Sequence, residues 1–467
     1  MKKAPAVPSS KEREKLKSRL GFLLISAGCA IGIGNVWKFA YVAGQGGGGA
    51  FVLIYLIFLV LLGLPIMTME FAIGRASQKT PVRAYKALEK PKTKWHIHGY
   101  IALIGNYALM MFYTTVAGWM LYYFYLTATG KFEGLDSKQV GNVFNEMLGQ
   151  PVTMGVCMVI VVAVGVFICS RGLQNGLEKV TKVMMVALLL IMVVLAVNSL
   201  FMDGAKEGLS FYLIPDFGRM KEAGIMNTVV SAMNQAFFTL SVGIGAMAIF
   251  GSYIGKDRSL LGESVNIACL DTFVALTSGL IIFPACYTFN VNPTQGPSLV
   301  FITLPNIFNN IPLGRMWGSL FFVFMTFAAF STVLAVFENI IACVSELTHW
   351  SRKKSSFINF IVITLLSLPC VLGYNVWQWK WLDVFGGAIL DLEDFLVSNI
   401  LLPLGSLVFL LFCTRKSGWG WNNFKEEANT GKGVKIHNWM RAYLTYVLPL
   451  IIIFIFVIGI YNKFFGK

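Results

Sequence analysis

Long apolar segments dominate this sequence and constrain its fold more than any other feature. A helix needs roughly 20 apolar residues to cross the hydrocarbon core of a bilayer, and eleven stretches of the chain are long and apolar enough. They are residues 20–44, 50–74, 97–128, 151–170, 173–201, 225–254, 263–290, 315–348, 356–374, 388–413 and 438–462. Only 13% of the 467 residues are charged, too few for a soluble protein of this length. We predict an all-α membrane protein with 11 transmembrane helices, numbered here as spans 1 to 11.

The distribution of basic residues predicts how the spans are oriented. The net charge of +15 is also typical of nucleic-acid-binding proteins, but the basic residues alternate by loop, with seven in residues 1–19 and seven in residues 75–94. The connections on the opposite side hold only seven in total, in residues 129–150, 203–224, 291–315 and 375–387. Cytoplasmic loops collect positive charge. We therefore expect a cytoplasmic N-terminal tail (1–19), an extracytoplasmic C-terminus and no nucleic-acid partner.

Other features of the sequence argue against several classes of protein. The eight cysteines lie within or beside apolar stretches without a CxxC spacing, so we expect neither disulfides nor a zinc site. The sequence has no GxxxxGK[ST] phosphate loop and no catalytic-triad pattern, so an ATPase or a membrane hydrolase is not expected. No linker is long enough to precede a second domain, and residues 20–465 are expected to form a single transmembrane domain.

Span 1 carries an unusual cluster of glycines, "GCAIGIGNVWKFAYVAGQGGGGAF", beginning at Gly28. Each glycine inside a helix costs up to about 1 kcal/mol relative to alanine. Gly28 and Gly32 have the GxxxG spacing of closely packed helices, but packing does not explain Gly34, Asn35 and Lys38, which follow at once. The "AIGIGN" of span 1 also resembles "SVGIGA" in span 6. We therefore expect both spans to be interrupted.

Interrupted spans at matching positions of two halves indicate a binding site at the membrane midplane of a transporter. An unwound backbone exposes amides and carbonyls that would each cost several kcal/mol if unpaired. Freed carbonyls suit Na⁺, and the amino ends of half-helices suit a carboxylate. The pattern favours spans 1–5 and 6–10 as two copies of one unit, with span 11 added.

Four stretches resemble one family of transporters: "SRLGFLLISAGCAIGIGNVWKFAY", "GGGAF", "QAFFTLSVGIGAM" and "GPSLVFITLPNIF". They are similar to the neurotransmitter:sodium symporter family, in its bacterial amino-acid branch, and the resemblance covers nearly the whole chain. It implies a five-plus-five inverted repeat with discontinuous helices 1 and 6, and uptake of amino acids coupled to sodium by alternating access. It also implies a bacterial inner membrane as the location.

The resemblance implies two sodium sites built from oxygen ligands. The first would use the Ala30 carbonyl, Asn35, Thr239, Asp271 and the carboxylate of the substrate. The ligands of the second would be the carbonyls of Gly28, Ile31 and Ala328 and the hydroxyls of Ser331 and Thr332. The family usually has Thr and then Ser at the last two positions, and the order is reversed here. A hydroxyl remains at each position, so we expect the second site to be retained.

Asp271 is the most informative departure from the family pattern. Many relatives, including chloride-dependent ones, have Asn at this position and Ser four residues later, where this chain has Ala275. A carboxylate beside a bound sodium ion can take the place of chloride, because the two charges offset each other. We expect transport without chloride, and proton binding to Asp271 after sodium and substrate leave.

The resemblance also implies a site for a neutral amino acid. Gly32 stands where amine-transporting relatives have Asp, which leaves room for the carboxylate of a substrate, and Tyr113 matches the family tyrosine that binds that carboxylate. The implied substrate-binding residues are Ala30, Gly32, Gly34, Leu109, Tyr113, Phe238, Thr239, Ser241, Ile244, Thr332 and Val336. These residues favour a hydrophobic substrate. Because Ile244 replaces a common aromatic residue, both aliphatic and aromatic substrates stay open.

By resemblance, the outer gate would place Tyr113 and Phe238 over the site, with Lys38 facing Asp394 above them. The family usually has Arg in place of Lys38. An ammonium group cannot make the bidentate contact of a guanidinium, so we expect a looser or water-bridged gate. Alternatively, Lys38 extends to the membrane surface without a gating role.

The implied inner gate pairs Arg13 with Glu346, with Tyr253 beside them. Leu16 stands where a Trp normally anchors the tail. By resemblance, Glu70 would support the unwound region of the backbone. Two other functions stay open at this point, namely a proton-coupled carrier or exchanger on the same scaffold and an amino-acid sensor or leak channel.

Overall fold

Helices lie at the positions of the predicted spans in the computed structural model, which describes residue 16, residues 18–291 and residues 298–465. Span 1 comprises Arg19–Ala30 and Gly34–Gln45, and span 6 comprises Ile225–Thr239 and Ala246–Gly251. The other long helices are Gly49–Ser77, His96–Ala128, Pro151–Ser170, Leu173–Leu200, Leu260–Thr288, Gly314–Thr348, Arg352–Leu372, Ile389–Thr414 and Met440–Phe464.

Within the described residues, these nine long helices are apolar enough to cross a membrane, and the bent pair of span 1 makes a tenth candidate. The two helices of span 6 are too short to pass the same criterion, because the break shortens each of them. The chain is thus an all-helical, multi-pass protein. The total of eleven spans stays a prediction.

The spans divide into a central and a peripheral group. Span 8 packs along span 3, and its most apolar window is 72% buried within the protein, whereas the windows of spans 4, 5 and 9 are 39% buried. The exposed side chains of span 5 include Val183, Leu190 and Val194. Apolar residues exposed along a membrane helix are solvated by lipid, so spans 4, 5 and 9 present faces to the bilayer.

The two broken spans lie side by side in the centre. The first helix of span 1 contacts spans 5, 7 and 8, and the second helix of span 6 contacts spans 2 and 8. The hydroxyl of Ser241, in the break of span 6, donates to the carbonyl of Cys29 in span 1 at 3.0 Å. We call the end of the protein that carries Arg19 and Arg258 the Arg19 face, and the end that carries Lys38 and Asp394 the Lys38 face.

Candidate substrate and ion site

The helix of span 1 is broken at the centre of the protein. Its first part ends at Ala30 and helical structure resumes at Gly34, with an angle of 57° between the two parts. The amide of Gly32 donates to the side-chain oxygen of Asn35 at 3.0 Å. A Cβ atom on Gly32 would lie 2.5 Å from the Thr332 hydroxyl oxygen, so the neighbouring side chain leaves no room for it. The break is therefore closely lined by side chains.

Side chains from other spans bind the backbone groups that the break exposes. The amide of Ile33 donates to the hydroxyl of Tyr113 at 2.9 Å, and the carbonyl of Gly34 accepts from Nε2 of Gln235 at 2.8 Å. Both contacts spare the backbone the cost of an unpaired polar group in an apolar environment. Tyr113 was expected at this site, whereas Gln235 was not identified from the sequence.

Span 6 is broken beside span 1. Its first helix ends at Thr239 and the second begins at Ala246. Gly243 and Gly245 have φ angles of +104° and +72°, in the left-handed region that favours glycine. A Cβ atom on Gly243 would also collide with the carbonyl of Leu402 in span 10. Glycine therefore permits both the turn and the close approach of span 10.

A carboxylate from span 2 binds the amides of the broken span 6. Glu70 is 0% exposed, and its two oxygens accept from the amides of Gly243 at 2.5 Å and Met247 at 3.1 Å. Hydrogen bonds to an ionised group are stronger than those between neutral groups. Glu70 thus holds the start of the second helix in place, the supporting role expected for it.

Two asparagines bind the carbonyls of the same break. Nδ2 of Asn106 donates to the carbonyl of Ile244 at 2.8 Å. Nδ2 of Asn339 lies 3.1 Å from Oδ1 of Asn106 and 3.4 Å from the carbonyl of Gly245. These residues connect spans 3, 6 and 8. Neither asparagine was identified from the sequence.

The carboxylate of Asp271 lies between the two breaks. It is 0% exposed, and it accepts hydrogen bonds from Nδ2 of Asn35 at 2.7 Å and from the hydroxyl of Thr239 at 3.0 Å. Across residues 16, 18–291 and 298–465, no ion pair involves Asp271. A buried carboxylate without a counter-charge costs several kcal/mol. This geometry suits a cation or a proton taken from solution.

A second cluster of oxygen atoms lies between spans 1 and 8. The hydroxyl oxygen of Ser331 lies 3.1 Å from the carbonyl of Ile31 and 2.9 Å from that of Ala328, and its single proton can be donated to either. The hydroxyl of Thr332 lies 3.4 Å from the carbonyls of both Gly28 and Ile31. All five residues implied for the second sodium site are therefore neighbours. Backbone carbonyls and hydroxyls are suitable ligands for Na⁺.

A small cavity of about 10 Å³, roughly the space of one water molecule, lies between the two breaks. Its walls are formed by Ala30, Gly32, Gly34, Leu109, Tyr113, Phe238, Ser241, Ile244, Thr332 and Leu402. Thr239 and Val336, which were also expected at the substrate site, are buried outside these walls. Leu402, from span 10, was not identified from the sequence.

A larger cavity, of about 170 Å³, lies on the Lys38 side of the small one. Gly34, Tyr113 and Phe238 line both cavities and therefore lie where the two meet. Lys38 and Asp394 line the larger cavity. The larger cavity thus brings the Lys38 and Asp394 side chains close to the small one.

The contact between Lys38 and Asp394 is direct. Nζ of Lys38 lies 2.7 Å from both carboxylate oxygens of Asp394 and 2.9 Å from the hydroxyl of Ser398. It also lies 4.2 Å from the centre of the Phe238 ring, within the range of a cation–π interaction. The two side chains therefore touch directly in this structure rather than through a water molecule, and a looser gate than that of an arginine stays a prediction. Three neighbouring groups satisfy the ammonium ion, which does not need the planar geometry of a guanidinium.

The known proteins that are similar to this chain identify its family. A family model described as "Sodium:neurotransmitter symporter family" matches residues 13–148 and 138–464. This chain belongs to that family. An uncharacterized sodium-dependent transporter of Bacillus subtilis (strain 168) is 36% identical over 442 residues, which are 94% of this chain and 96% of that protein. The symporter is thus a membrane transporter and not an enzyme.

Two further relatives place this symporter within the family. The crystal structure of MhsT in complex with L-phenylalanine has a TM-score of 0.86 and 35% sequence identity, covering 95% of this chain and 99% of that one. A sodium-dependent serotonin transporter of Drosophila melanogaster is 25% identical over 515 residues, covering 98% of this chain and 78% of that protein. The fold is therefore that of the MhsT structure.

Two residues expected at the inner gate of the symporter, Glu346 and Tyr253, lie in the described part of the chain. Glu346 accepts from the amide of Thr80 at 2.8 Å, whereas the hydroxyl of Tyr253 donates to Glu338 at 2.8 Å. Arg13 lies outside the described residues. The expected grouping of all three residues is therefore not tested by these contacts.

Ion pairs with buried carboxylates are concentrated near the Arg19 face. Glu338 is 0% exposed and pairs with Arg352, which begins span 9. At the start of span 1, Arg19 pairs with Glu263 of span 7 at 2.9 Å, and the Glu263 side chain is 2% exposed. Breaking such a pair strands a buried charge. These pairs therefore oppose separation of the helices at this face.

Proposed function

We propose that this symporter couples the uptake of neutral, hydrophobic amino acids to sodium by alternating access. The observation that carries the proposal is the Asp271 carboxylate, which is 0% exposed and hydrogen-bonded by neutral side chains. A sodium ion beside it supplies the positive charge that these partners lack. Occupation of the site by sodium thereby stabilises the closed core around the two breaks.

The proposed first sodium site joins the ion to the substrate. Its protein ligands are the Ala30 carbonyl, Asn35, Thr239 and Asp271, and its last ligand is the substrate carboxylate. Because the sodium ion would contact both the protein and the substrate, bound sodium stabilises the binding of substrate and bound substrate stabilises the binding of sodium. The proposed second site uses Gly28, Ile31, Ala328, Ser331 and Thr332, whose mutual distances support it.

The substrate carboxylate is proposed to bind beside Gly32 and Tyr113. Gly32 presents no side chain, and a Cβ atom there would collide with Tyr113 and Thr332. The Tyr113 oxygen accepts a hydrogen bond from the amide of Ile33, and a hydroxyl that accepts can still donate its own proton. It can therefore donate to a carboxylate. An amine without a carboxylate would lose both this bond and the contact with sodium.

The side chain of the substrate is proposed to lie against apolar walls. Leu109, Phe238, Ile244 and Leu402 line the small cavity, beside the hydroxyls of Ser241 and Thr332. Each buried methylene stabilises binding by about 0.8 kcal/mol, which favours hydrophobic amino acids. The L-phenylalanine complex of MhsT supports including aromatic substrates among the candidates, and the apolar character of these walls leaves both aliphatic and aromatic side chains open.

We also propose that chloride is not required. Asp271 contributes a fixed negative charge beside the proposed first sodium site, and Ala275 offers no hydroxyl to an anion. Transport would thus need sodium and the amino acid as its cargo.

The proposed topology has eleven spans in one domain, residues 20–465, after a cytoplasmic tail, residues 1–19. Spans 1–5 and 6–10 would be inverted repeats, and the matching breaks in spans 1 and 6 support this arrangement. The alternating distribution of Lys and Arg supports a cytoplasmic N-terminus and an extracytoplasmic C-terminus, and the resemblance to the bacterial branch of the family supports a bacterial inner membrane. The Lys38 face would then be the outer face.

Alternating access requires one gate to open while the other stays closed. We propose Lys38 and Asp394, above Tyr113 and Phe238, as the outer gate. The proposed inner gate comprises Arg13, Glu346 and Tyr253. Movement of one group of helices relative to the other would open each side in turn.

The test uses purified protein in liposomes with an inward sodium gradient. Uptake of labelled phenylalanine and leucine is measured while each of the twenty amino acids competes, in sodium and in sodium-free potassium buffer. We expect accumulation only with sodium, and strong competition by hydrophobic amino acids. The matched control is Asp271→Asn, which preserves the shape of the side chain and removes its charge.

A proton-coupled carrier is the second candidate, because the buried Asp271 carboxylate could be neutralised by a proton instead of sodium. Accumulation driven by a proton gradient in sodium-free buffer would favour this candidate and contradict sodium coupling. Binding of amino acid without gradient-driven accumulation would instead indicate a sensor. Equilibration without accumulation would indicate a leak channel.

A further inference from the structure

Three tryptophans at alternate positions follow span 9, and their rings form a ladder. The ring centroids of Trp377 and Trp379 are 5.9 Å apart with planes inclined by 13°, and those of Trp379 and Trp381 are 6.1 Å apart with planes inclined by 15°. Aromatic rings at such distances attract one another when they stack with an offset. We call these three residues the tryptophan ladder.

The tryptophan ladder is exposed on the surface of the protein. The exposed fractions are 36% for Trp377, 47% for Trp379 and 55% for Trp381, and the flanking Val376 and Val384 are 64% and 53% exposed. Contiguous exposed apolar residues of this kind mark sites of contact with a partner or a membrane. The ladder is therefore a candidate contact surface.

The backbone holds the tryptophan ladder in a defined position. The amide of Trp377 donates to the carbonyl of Leu372, the last residue of span 9, at 2.8 Å. The amide of Leu382 donates to the carbonyl of Trp379 at 2.9 Å, and Leu382 is fully buried. Nδ2 of Asn375 also donates to the carbonyl of Leu148 at 3.0 Å. The fold thus presents the three rings in a preformed arrangement.

The position of the tryptophan ladder identifies a membrane as its partner. The ladder begins five residues after span 9, whose exposed face carries Phe357, Ile361 and Leu365. Span 9 is among the spans least buried within the protein. Tryptophan is enriched where membrane helices meet the headgroup layer, because an indole is apolar with one polar N–H group.

Two lysines complete a surface suited to phospholipid. Lys380 lies within the ladder segment and is exposed. Lys463, near the end of span 11, has its Nζ 3.4 Å from the carbonyl of Phe385, just beyond the ladder. Positive charges beside exposed indoles match the phosphate group and the upper acyl chain of a phospholipid.

We propose that the tryptophan ladder lies in the headgroup layer of the membrane and binds phospholipid there, so that it anchors the connection between spans 9 and 10. Asp394 lies in the first helix after this connection. The anchor therefore fixes the start of the helix whose Asp394 contacts Lys38. The proposal requires only that the chain spans a membrane. It does not depend on sodium coupling or on the identity of the substrate.

The test compares the tryptophan emission of the full-length protein with that of the Trp377→Phe/Trp379→Phe/Trp381→Phe variant. Both are reconstituted in phosphatidylcholine vesicles, with or without lipid brominated at acyl carbons near the headgroup. The chain has 11 tryptophans. The emission of the three ladder residues is therefore obtained by subtracting the emission of the variant from that of the unaltered protein. We expect bromine to reduce this difference about twofold, and iodide equilibrated on both sides of the membrane to leave it nearly unchanged.

The buried Trp119, which is 1% exposed, supplies the control, because the emission lost in Trp119→Phe should be insensitive to both quenchers. Quenching of the ladder by iodide but not by bromine would overturn the proposal, since the rings would then face water. Insensitivity of the ladder to both quenchers would also overturn it, since protein would then cover the rings. If the triple variant does not fold, Trp381→Phe alone allows the same comparison.

Discussion

Two carboxylates near the proposed substrate site, Asp271 and Asp394, differ in how their charge is balanced. The Asp394 side chain is 30% exposed, and Nζ of Lys38 lies 2.7 Å from both of its oxygens. Asp271 is 0% exposed, and its hydrogen-bond partners in the structure, Asn35 and Thr239, are neutral. One carboxylate thus has its counter-charge among the described residues, whereas the other has none there and is proposed to obtain it from solution.

This difference assigns different tasks to the two residues. As the proposed outer gate, the contact of Asp394 with Lys38 would open and close without any change in the ions that the protein holds. The charge state around Asp271 changes when a cation binds or leaves. An exposed ion pair contributes at most about 1 kcal/mol, whereas stranding a buried charge costs about 3–5 kcal/mol. Substitutions at the two positions should therefore differ in size as well as in kind.

The largest expected effect is that of Asp271→Asn, which removes the buried charge. We expect the sodium affinity to fall by at least about 100-fold, because the loss of a buried charge partner costs about 3–5 kcal/mol. The measurement is sodium-dependent binding of labelled phenylalanine or leucine to purified protein. Asp394→Asn is the matched control and should leave the sodium affinity nearly unchanged. Equal losses in both variants would contradict the distinction between the two carboxylates.

A smaller effect is expected from Lys38→Met, which keeps much of the apolar stem and removes the ammonium group. Bound substrate should dissociate about tenfold faster, because the variant loses a partly exposed ion pair and a cation–π contact, each contributing up to about 1 kcal/mol. The dissociation rate of labelled substrate measures this effect. Lys38→Arg should remain close to the unaltered protein. An unchanged rate in Lys38→Met would show that the contact does not retain substrate.

Raising the ionic strength should weaken the partly exposed contact of Asp394 but not the buried Asp271 site, and this effect should be smaller still. Raising it from 0.1 to 1 M with potassium gluconate, at constant sodium, shortens the Debye length from about 10 Å to about 3 Å. We expect substrate to dissociate about two- to threefold faster, because the partly exposed Lys38 contact is screened. Lys38→Met should show no such increase. The same increase in both proteins would assign the salt effect to another part of the molecule.

The sequence predicted the breaks because they carry local signals. Glycines within an apolar span, followed by Asn35, indicate an interrupted helix, and the structure has a bend of 57° there. The resemblance supplied Tyr113 and Asp271, whose hydrogen bonds reach Ile33 and Asn35. For these residues, the sequence pattern and the three-dimensional contacts agree.

Other parts of the site depend on tertiary packing and have no local signal. Gln235 and Asn106 bind carbonyls of the two breaks, but an amide inside an apolar helix can equally well bind its own helix or a neighbour. Leu402 lines the cavity because Gly243 allows span 10 to approach closely. The direct Lys38 contact also depends on Ser398, one turn from Asp394. These contacts follow from the arrangement of helices rather than from a motif.

The smallest expected effect is that of removing chloride. Replacing it with gluconate at constant sodium should leave uptake unchanged, because Asp271 keeps a negative charge where a bound anion would otherwise balance the cation. The same argument predicts that any uptake left in Asp271→Asn rises when chloride is added, since the anion can then supply the missing charge. Uptake measured in both salts, for both proteins, tests this point. A chloride requirement in the unaltered protein would mean that the Asp271 carboxylate alone does not balance the charge of the bound cation. A bound anion would then contribute as well, and the difference between Asp271 and Asp394 would not by itself explain how the charge is balanced.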